Sequence, residues 1–351
     1  KPSEATAYQE TARKAAKAIL FARDCNKQQD KPKAHLGQDR AYGELKVGNT
    51  DTFRTASSRL GVGIGDNLQN VTGSMRRLFL PDEGCKMFYI DLEQAESNIL
   101  AHLAGDEGYI EAHMNPEIDT HTKVAIQIWP DLDWPEGTAS EQDKAFCDGK
   151  MYYRHYSYRF MAKKVQHALG RGGTAHTIAA DLGIPKKVAQ GVVDGFANGV
   201  PQVFEYMDWL QRESPDGKKM AGVLVDEGQL IVPGIGVKRQ FFERLWDRGT
   251  FRDALAFVCQ APVAWVCHLG FWRIWKHLDG KSLEGGADPL QVLYHQHDAV
   301  MGQYWWWRTD LLEEAERQMR VPMLMTDFRG TQREMVIGTD VGTGSNWEEA
   351  G

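Results

Sequence analysis

Two apolar, strand-like runs far apart in this chain each end on an aspartate. Phe88-Tyr89-Ile90 leads into Asp91, and Tyr294-His295-Gln296-His297 leads into Asp298. Two carboxylates carried on adjacent strands can share a pair of hard metal ions. Between them lies a helical run presenting cations, Tyr158-Arg159-Phe-Met-Ala-Lys163-Lys-Val-Gln-His167-Ala-Leu-Gly170-Arg171. Taking Arg159 as zero, Gln166, Gly170, Lys163, His167 and Arg171 fall at about 340°, 20°, 40°, 80° and 120° around that helix. A single face thus carries Arg, Lys, Gln, His and Arg. A solvated basic face would need none of Gly170, Gly172 and Gly173 beyond a helix stop. The functional alternative is a face that holds the phosphates of a nucleotide, Arg159 and Lys163 on the phosphate oxygens and His167 and Arg171 nearer base or sugar.

The net charge of −7, from 41 basic and 48 acidic residues, excludes a protein basic all over, though not a locally basic groove. Cys25, Cys85, Cys147, Cys259 and Cys267 form no CxxC pair and no zinc spacing, which points to free thiols in a reducing compartment. No apolar run is read as membrane-spanning and the N-terminus has no signal-peptide pattern, so an intracellular, cytoplasmic protein is expected. The first residue is Lys, which suggests a fragment.

Along the chain, residues 8–25 read as helix and a polar loop follows. Short strand-like pieces broken by glycine occupy 40–72, a strand 86–91, and a helix 94–102. Residues 130–150, rich in Asp, Pro, Gly and Glu, read as an exposed insertion. Helices are expected at about 152–170, 186–196, 203–212, 253–278 and 310–319, with strand-like pieces at 222–245 and near Met335. The runs 291–297 and 300–306 read as a hairpin around Asp298. Interleaved helices and antiparallel hairpins make the fold class α+β.

Magnesium prefers carboxylate oxygens and keeps places for water and phosphate. Two such ions can clamp the attacking and leaving oxygens of a phosphoryl transfer. The pattern at this point resembles DNA polymerase family A, the group of bacterial DNA polymerase I and many phage replicases. Asp91, Gln94, Glu96 and Ala101-His102-Leu103 match its first motif; Arg159, Lys163 and Gly172 its second; His297-Asp298 its third. Thr55-Ala-Ser-Ser-Arg59-Leu, Asn67-Leu-Gln-Asn70, Asp119-Thr-His121, Phe204-Glu-Tyr-Met, Arg252 with Gln260, and Val341-Gly-Thr-Gly-Ser-Asn-Trp347 follow as smaller landmarks in the family's order.

The resemblance implies a right-hand fold with an antiparallel palm sheet, helical fingers and a truncated thumb. It divides the chain into a thumb remnant (1–48), palm (49–104), fingers (105–235) and a second palm part with the catalytic hairpin (236–351). It implies DNA-templated addition of dNTPs to a primer 3′-hydroxyl with release of pyrophosphate. Two Mg²⁺ ions, or Mn²⁺ in their place, would be held by Asp91, Asp298 and the Leu92 carbonyl. Arg159, Lys163 and His121 would hold the triphosphate, with Gln94, His167 and Arg171 lining the nucleotide site and Lys163 a proton donor to the leaving group. Glu96 would exclude a 2′-hydroxyl. Arg59, Asn67, Asn70, Arg252, Gln260 and His297 would contact the primer-template. The implied protein is a monomer with primer-template DNA and dNTPs as partners, and a processivity factor or an upstream exonuclease region as further candidates.

Four positions depart from the family pattern. Ala299 replaces an acid after His-Asp; His167 replaces an aromatic; Arg171 replaces a Tyr; and Ala256 replaces an Asn four residues before Gln260. Such drift suits a phage or viral source. Two alternatives stay open: a single-subunit RNA polymerase, and a catalytically weakened DNA-binding protein of polymerase fold.

Overall fold

A computed structural model describes residues 14, 15, 18, 19, 39–62, 64–211, 228–244, 247–278 and 288–351. At its centre lies a four-stranded antiparallel sheet of β1 (Cys85–Leu92), β2 (Leu290–Gln296), β3 (Ala299–Trp305) and β4 (Thr339–Gly344), ordered β4-β1-β3-β2. Alternation along β1 assigns its two faces. Phe88, Ile90 and Leu92 enter the large helical core, while Met87 packs with Tyr294, Met301 and Trp347 on the other side. Asp91 shares the parity of Met87 and Tyr89, so its side chain stands on the face away from that helical core. Register places Asp91 opposite Ala299 on β3 and opposite Asp340 on β4. Close packing in the sheet needs Gly302, where a Cβ would come 2.2 Å from the Gln291 carbonyl oxygen and 2.3 Å from Phe88 Cζ.

Six helices frame the sheet and its approach: α1 (Ala95–Ala104), α2 (Thr120–Ile128), α3 (Glu141–Gly149), α4 (Tyr158–Leu169), α5 (Arg248–Leu278) and α6 (Thr309–Met319). Three more, Ala175–Leu182, Lys186–Gly199 and Pro201–Leu210, complete the helical region beyond α4. Helix α5 runs 31 residues with Pro262 inside it and packs against α1 and α6. Contrary to the sequence expectation, α5 is long and apolar enough to cross a membrane by length and composition. Its most apolar window is 67% buried within the fold, as befits a core helix.

One further expectation is refined and one corrected. The stretch 130–150 is exposed over most of its length, as expected, but it is not a bare loop: residues 141–149 form α3, and Asp143 and Cys147 have no solvent exposure. Its polar composition signals a turn, but the turn closes on a buried carboxylate. Asp143 accepts backbone N–H groups from Glu136, Gly137, Thr138 and Ala139 at 2.8–3.1 Å. The helix expected from 152 begins only at Tyr158, because Met151–Tyr153 and Tyr156–Ser157 form a small hairpin. Ser157 then caps α4, accepting from the Phe160 N–H at 3.1 Å. Of the helix expected at 8–25, residues 14, 15, 18 and 19 are described and helical; the rest lies outside the described residues. Among the described residues Cys85, Cys147, Cys259 and Cys267 are free thiols.

Candidate active site

The turn between β2 and β3 brings Asp298 to the end of β1, where the Leu92 N–H donates to the Asp298 carbonyl at 3.2 Å. His297 takes the left-handed conformation there, with φ of 56°. Burial, then the adjacent Asp298 and Asp340, push the Asp91 carboxyl up to about 7. Burial also raises Asp298, against the opposing pull of Arg54. Acids crowded in this way favour a bound cation. The donor set is hard oxygen. Among the described residues no group of three or more His, Cys, Asp or Glu side chains forms a metal cage. Two carboxylates fit a magnesium-like ion, which completes its shell with water and phosphate; Asp91 and Asp298 are the residues that would hold it.

Past β1 the chain turns sharply through Gln94, at φ 48°, into α1. That turn puts Glu96 in the first turn of α1. Glu96 Oε1 accepts from Arg54 Nη2 at 2.5 Å, and Oε2 accepts from Arg171 Nε at 3.2 Å. Across the cleft stands α4. Arg159 donates twice to Asp119, from Nε at 2.9 Å and Nη2 at 2.7 Å, while Asp119 caps α2 through the Thr122 N–H. Burial alone would raise Asp119, but these donors hold it down at about 2. Arg159 therefore comes to the site with its charge already shared. Lys163, one turn on, is exposed and has no ion pair among the described residues. His121 is buried, its Nδ1 2.6 Å from Gln166 Oε1, and Gln166 Nε2 donates to the Tyr109 hydroxyl at 3.1 Å. Burial lowers His121 to about 4, so it is neutral near pH 7 and offers a hydrogen bond rather than the charge of a phosphate-holding cation.

A narrow cleft of about 100 Å³ is lined by Gln94, Glu96, His121, Gln166, His167, Arg171 and Asp298, so these sequence-predicted residues do meet. Beside it a wider cleft of about 820 Å³ takes in His167, Arg171, Arg248 and Arg252 with Asp247, and Lys164 paired to Asp181, so cations are in excess. Gly172, at φ 66°, lets Arg252 pack close to the end of α4. Arg59, Asn67, Asn70 and Gln260 line neither cleft. Arg59 is exposed and donates from Nε to the Gly65 carbonyl at 3.2 Å; Asn67 precedes the short helical turn Leu68–Asn70; Gln260 is half-buried on α5. Arg54 and Tyr109 carry no motif and were not foreseen. Gln166 was visible on the α4 face, but its pairing with His121 needs the tertiary structure.

An acid pair on a palm-like antiparallel sheet, faced by a cationic helix, defines the α+β polymerase class. The chain belongs to DNA polymerase family A, whose model matches residues 11–349. It is 25% identical over 290 residues to DNA polymerase I of Pseudomonas aeruginosa, covering 81% of this chain and 28% of that one. It is 29% identical over 303 residues to the thermostable DNA polymerase I of Thermus filiformis, covering 84% and 32%. The chain thus spans about a third or less of the curated relatives it matches. Among solved structures it is similar in fold to the POL domain of Pol1 from M. smegmatis, in complex with DNA primer-template and dNTP. That match has TM-score 0.70 and 19% identity, covering 98% of this chain and 55% of that one.

Proposed function

We propose that this chain is the polymerase portion of a DNA-templated DNA polymerase, joining dNTPs to a primer 3′-hydroxyl with loss of pyrophosphate. The observation that carries the reading is the meeting of Asp91 and Asp298 at one end of the sheet, beside α4, in a chain of this family. The proposed division is the one drawn from sequence: thumb remnant, palm, fingers and second palm part. A cytoplasmic setting, in a bacterial or phage-infected cell, goes with it.

Asp91 and Asp298 would hold the Mg²⁺ ions, which supply charge neutralisation and activation of the 3′-hydroxyl when bound. Lys163 offers the triphosphate a full positive charge and a proton for the departing pyrophosphate. Arg159, tied to Asp119, positions more than it neutralises. His121, fixed by Gln166, contributes a neutral N–H. Glu96 faces the sugar and leaves no room for a 2′-hydroxyl. Arg171 and Arg252, in the cationic cleft, follow nucleic-acid phosphates, so binding weakens as salt rises. Positioning and charge supply most of the acceleration in such transfers.

Extension of a labelled primer with Mg²⁺ and dNTPs, compared with Asp298→Asn, tests the reading. Extension lost in the variant supports it. DNA binding by both proteins with no extension by the parent favours the non-catalytic alternative, and free use of rNTPs by the parent favours an RNA polymerase.

A further inference from the structure

The two arginines on Glu96 are not equivalent. Arg171 sits at the exposed end of α4, with 59% of its side chain in solvent, so its pairing is screened and easily exchanged. Arg54 is only 23% exposed, and the backbone is anchored at its carbonyl and at the next residue. The Thr50 hydroxyl donates to the Arg54 carbonyl at 3.0 Å. The next residue, Thr55, is buried, with its hydroxyl 2.8 Å from both His268 Nε2 on α5 and His295 Nδ1 on β2. Its carbonyl accepts from Gln69 Nε2 at 3.0 Å. The guanidinium of Arg54 thus projects from a point fixed both to β2, the first strand of the Asp298 hairpin, and to α5. Its charge also reaches Asp298 and His297.

A glutamate has three side-chain torsions and swings freely without a partner. We propose that Arg54 is the positioning residue for sugar selection: it clamps Oε1 of Glu96 so that the carboxylate stands where a 2′-hydroxyl would lie. This rests on the reading of Glu96 as the sugar-facing group. The second oxygen, on the exposed Arg171, exchanges readily with water, while Arg54 keeps the first in place. Arg54 acts through Glu96 and touches no reacting atom.

The test measures kcat/KM for single-nucleotide incorporation of a dNTP and its matching rNTP by the parent, Glu96→Ala, Arg54→Gln, Arg54→Lys and the Glu96→Ala/Arg54→Gln double variant. Taking the ratio on one preparation cancels any loss of folded protein. Arg54→Gln is expected to relax discrimination by roughly ten- to a hundredfold, the worth of one charge-assisted hydrogen bond. Arg54→Lys should restore most of it, and Arg54→Gln should add nothing to Glu96→Ala. If Arg54→Gln slows both nucleotides equally, or multiplies with Glu96→Ala, the positioning role is overturned. Should Arg54→Gln fail to fold, Arg54→Lys decides: a lysine has one donor centre in place of the fork, so a ratio partly relaxed supports the role. A loss of rate that falls equally on both nucleotides, with the ratio unchanged from the parent's, overturns it. If Glu96→Ala itself leaves the ratio unchanged, the sugar-facing reading of Glu96 falls first, and Arg54 has nothing to position.

Discussion

Asp143→Asn changes one atom of a side chain with no solvent exposure, and its cost can be worked out bond by bond. Oδ1 accepts from Glu136 at 2.9 Å and Gly137 at 3.1 Å; Oδ2 accepts from Thr138 at 2.8 Å and Ala139 at 2.9 Å. An amide keeps one acceptor oxygen and turns an NH₂ group towards the other two donors. Two charge-assisted bonds are lost and two backbone N–H groups are left facing donors. At roughly 1–3 kcal/mol each, the cost is about 3–5 kcal/mol. Because the four donors sit in one turn, the effect is local first. Hydrogen exchange of a peptide spanning residues 134–147 should accelerate at least about a hundredfold in the variant. The parent should show a pH signature. The four amides hold Asp143 below the usual carboxylate range, outweighing its burial. Its contribution is therefore full above about pH 4 and is lost as pH falls through the lowered value. After correction for intrinsic exchange, acid should loosen this turn in the parent and leave the Asn variant unaffected. Exchange within about threefold of the parent at neutral pH would refute the reasoning.

Asp119→Ala removes both the α2 cap and the partner of Arg159, and should cost about 2 kcal/mol in urea melts. Since Asp119 is held at about 2, the parent's advantage should persist above about pH 4 and vanish as pH falls towards 2; parallel acid curves for the two proteins would contradict this. Gly302→Ala should destabilise by about 1–3 kcal/mol or yield insoluble protein, because the added Cβ meets backbone and the Phe88 ring; a melt equal to the parent's would mean that the sheet yields there without strain. Asp91, raised to about 7, binds its proton more tightly folded than unfolded. Relative to Asp91→Asn, metal-free protein should therefore lose stability as pH rises from about 4 to about 7, and Mg²⁺ should recover it. A Tm difference between the two proteins that does not change across that window would remove the basis for the acid pair as a cation site.

The hairpin at Asp298, the strand ending near Asp91 and the cationic face of α4 were legible because each is a local pattern: apolar runs closed by a polar residue, or charges at helical spacing. The order of the sheet was not, since β1 takes both partners from the far end of the chain. Nor was the company that charges keep. Arg159 looks free in the sequence, yet Asp119 claims it; His121 looks like a cation, yet burial neutralises it. Arg54 stands beside a family landmark but belongs to none. Asp143 shows the opposite failure, where polar composition suggested solvent and the chain instead wrapped its amides around the acid. Periodicity reports which face a side chain shares; it says nothing about a partner forty or two hundred positions away.

The register of β1 has a consequence for biosynthesis. Both edges of this central strand are covered by β3 and β4, and the nearer of these begins only at Ala299. At a synthesis rate of roughly 5–20 residues per second, β1 waits on the order of 10–40 s with two open edges. During that interval it is an aggregation-prone template. The acid pair cannot assemble in any nascent chain that stops short of Ala299, and loss of β4 would reopen one edge of β1. Assembly of the acid pair is thus withheld until β3 has followed β1 off the ribosome.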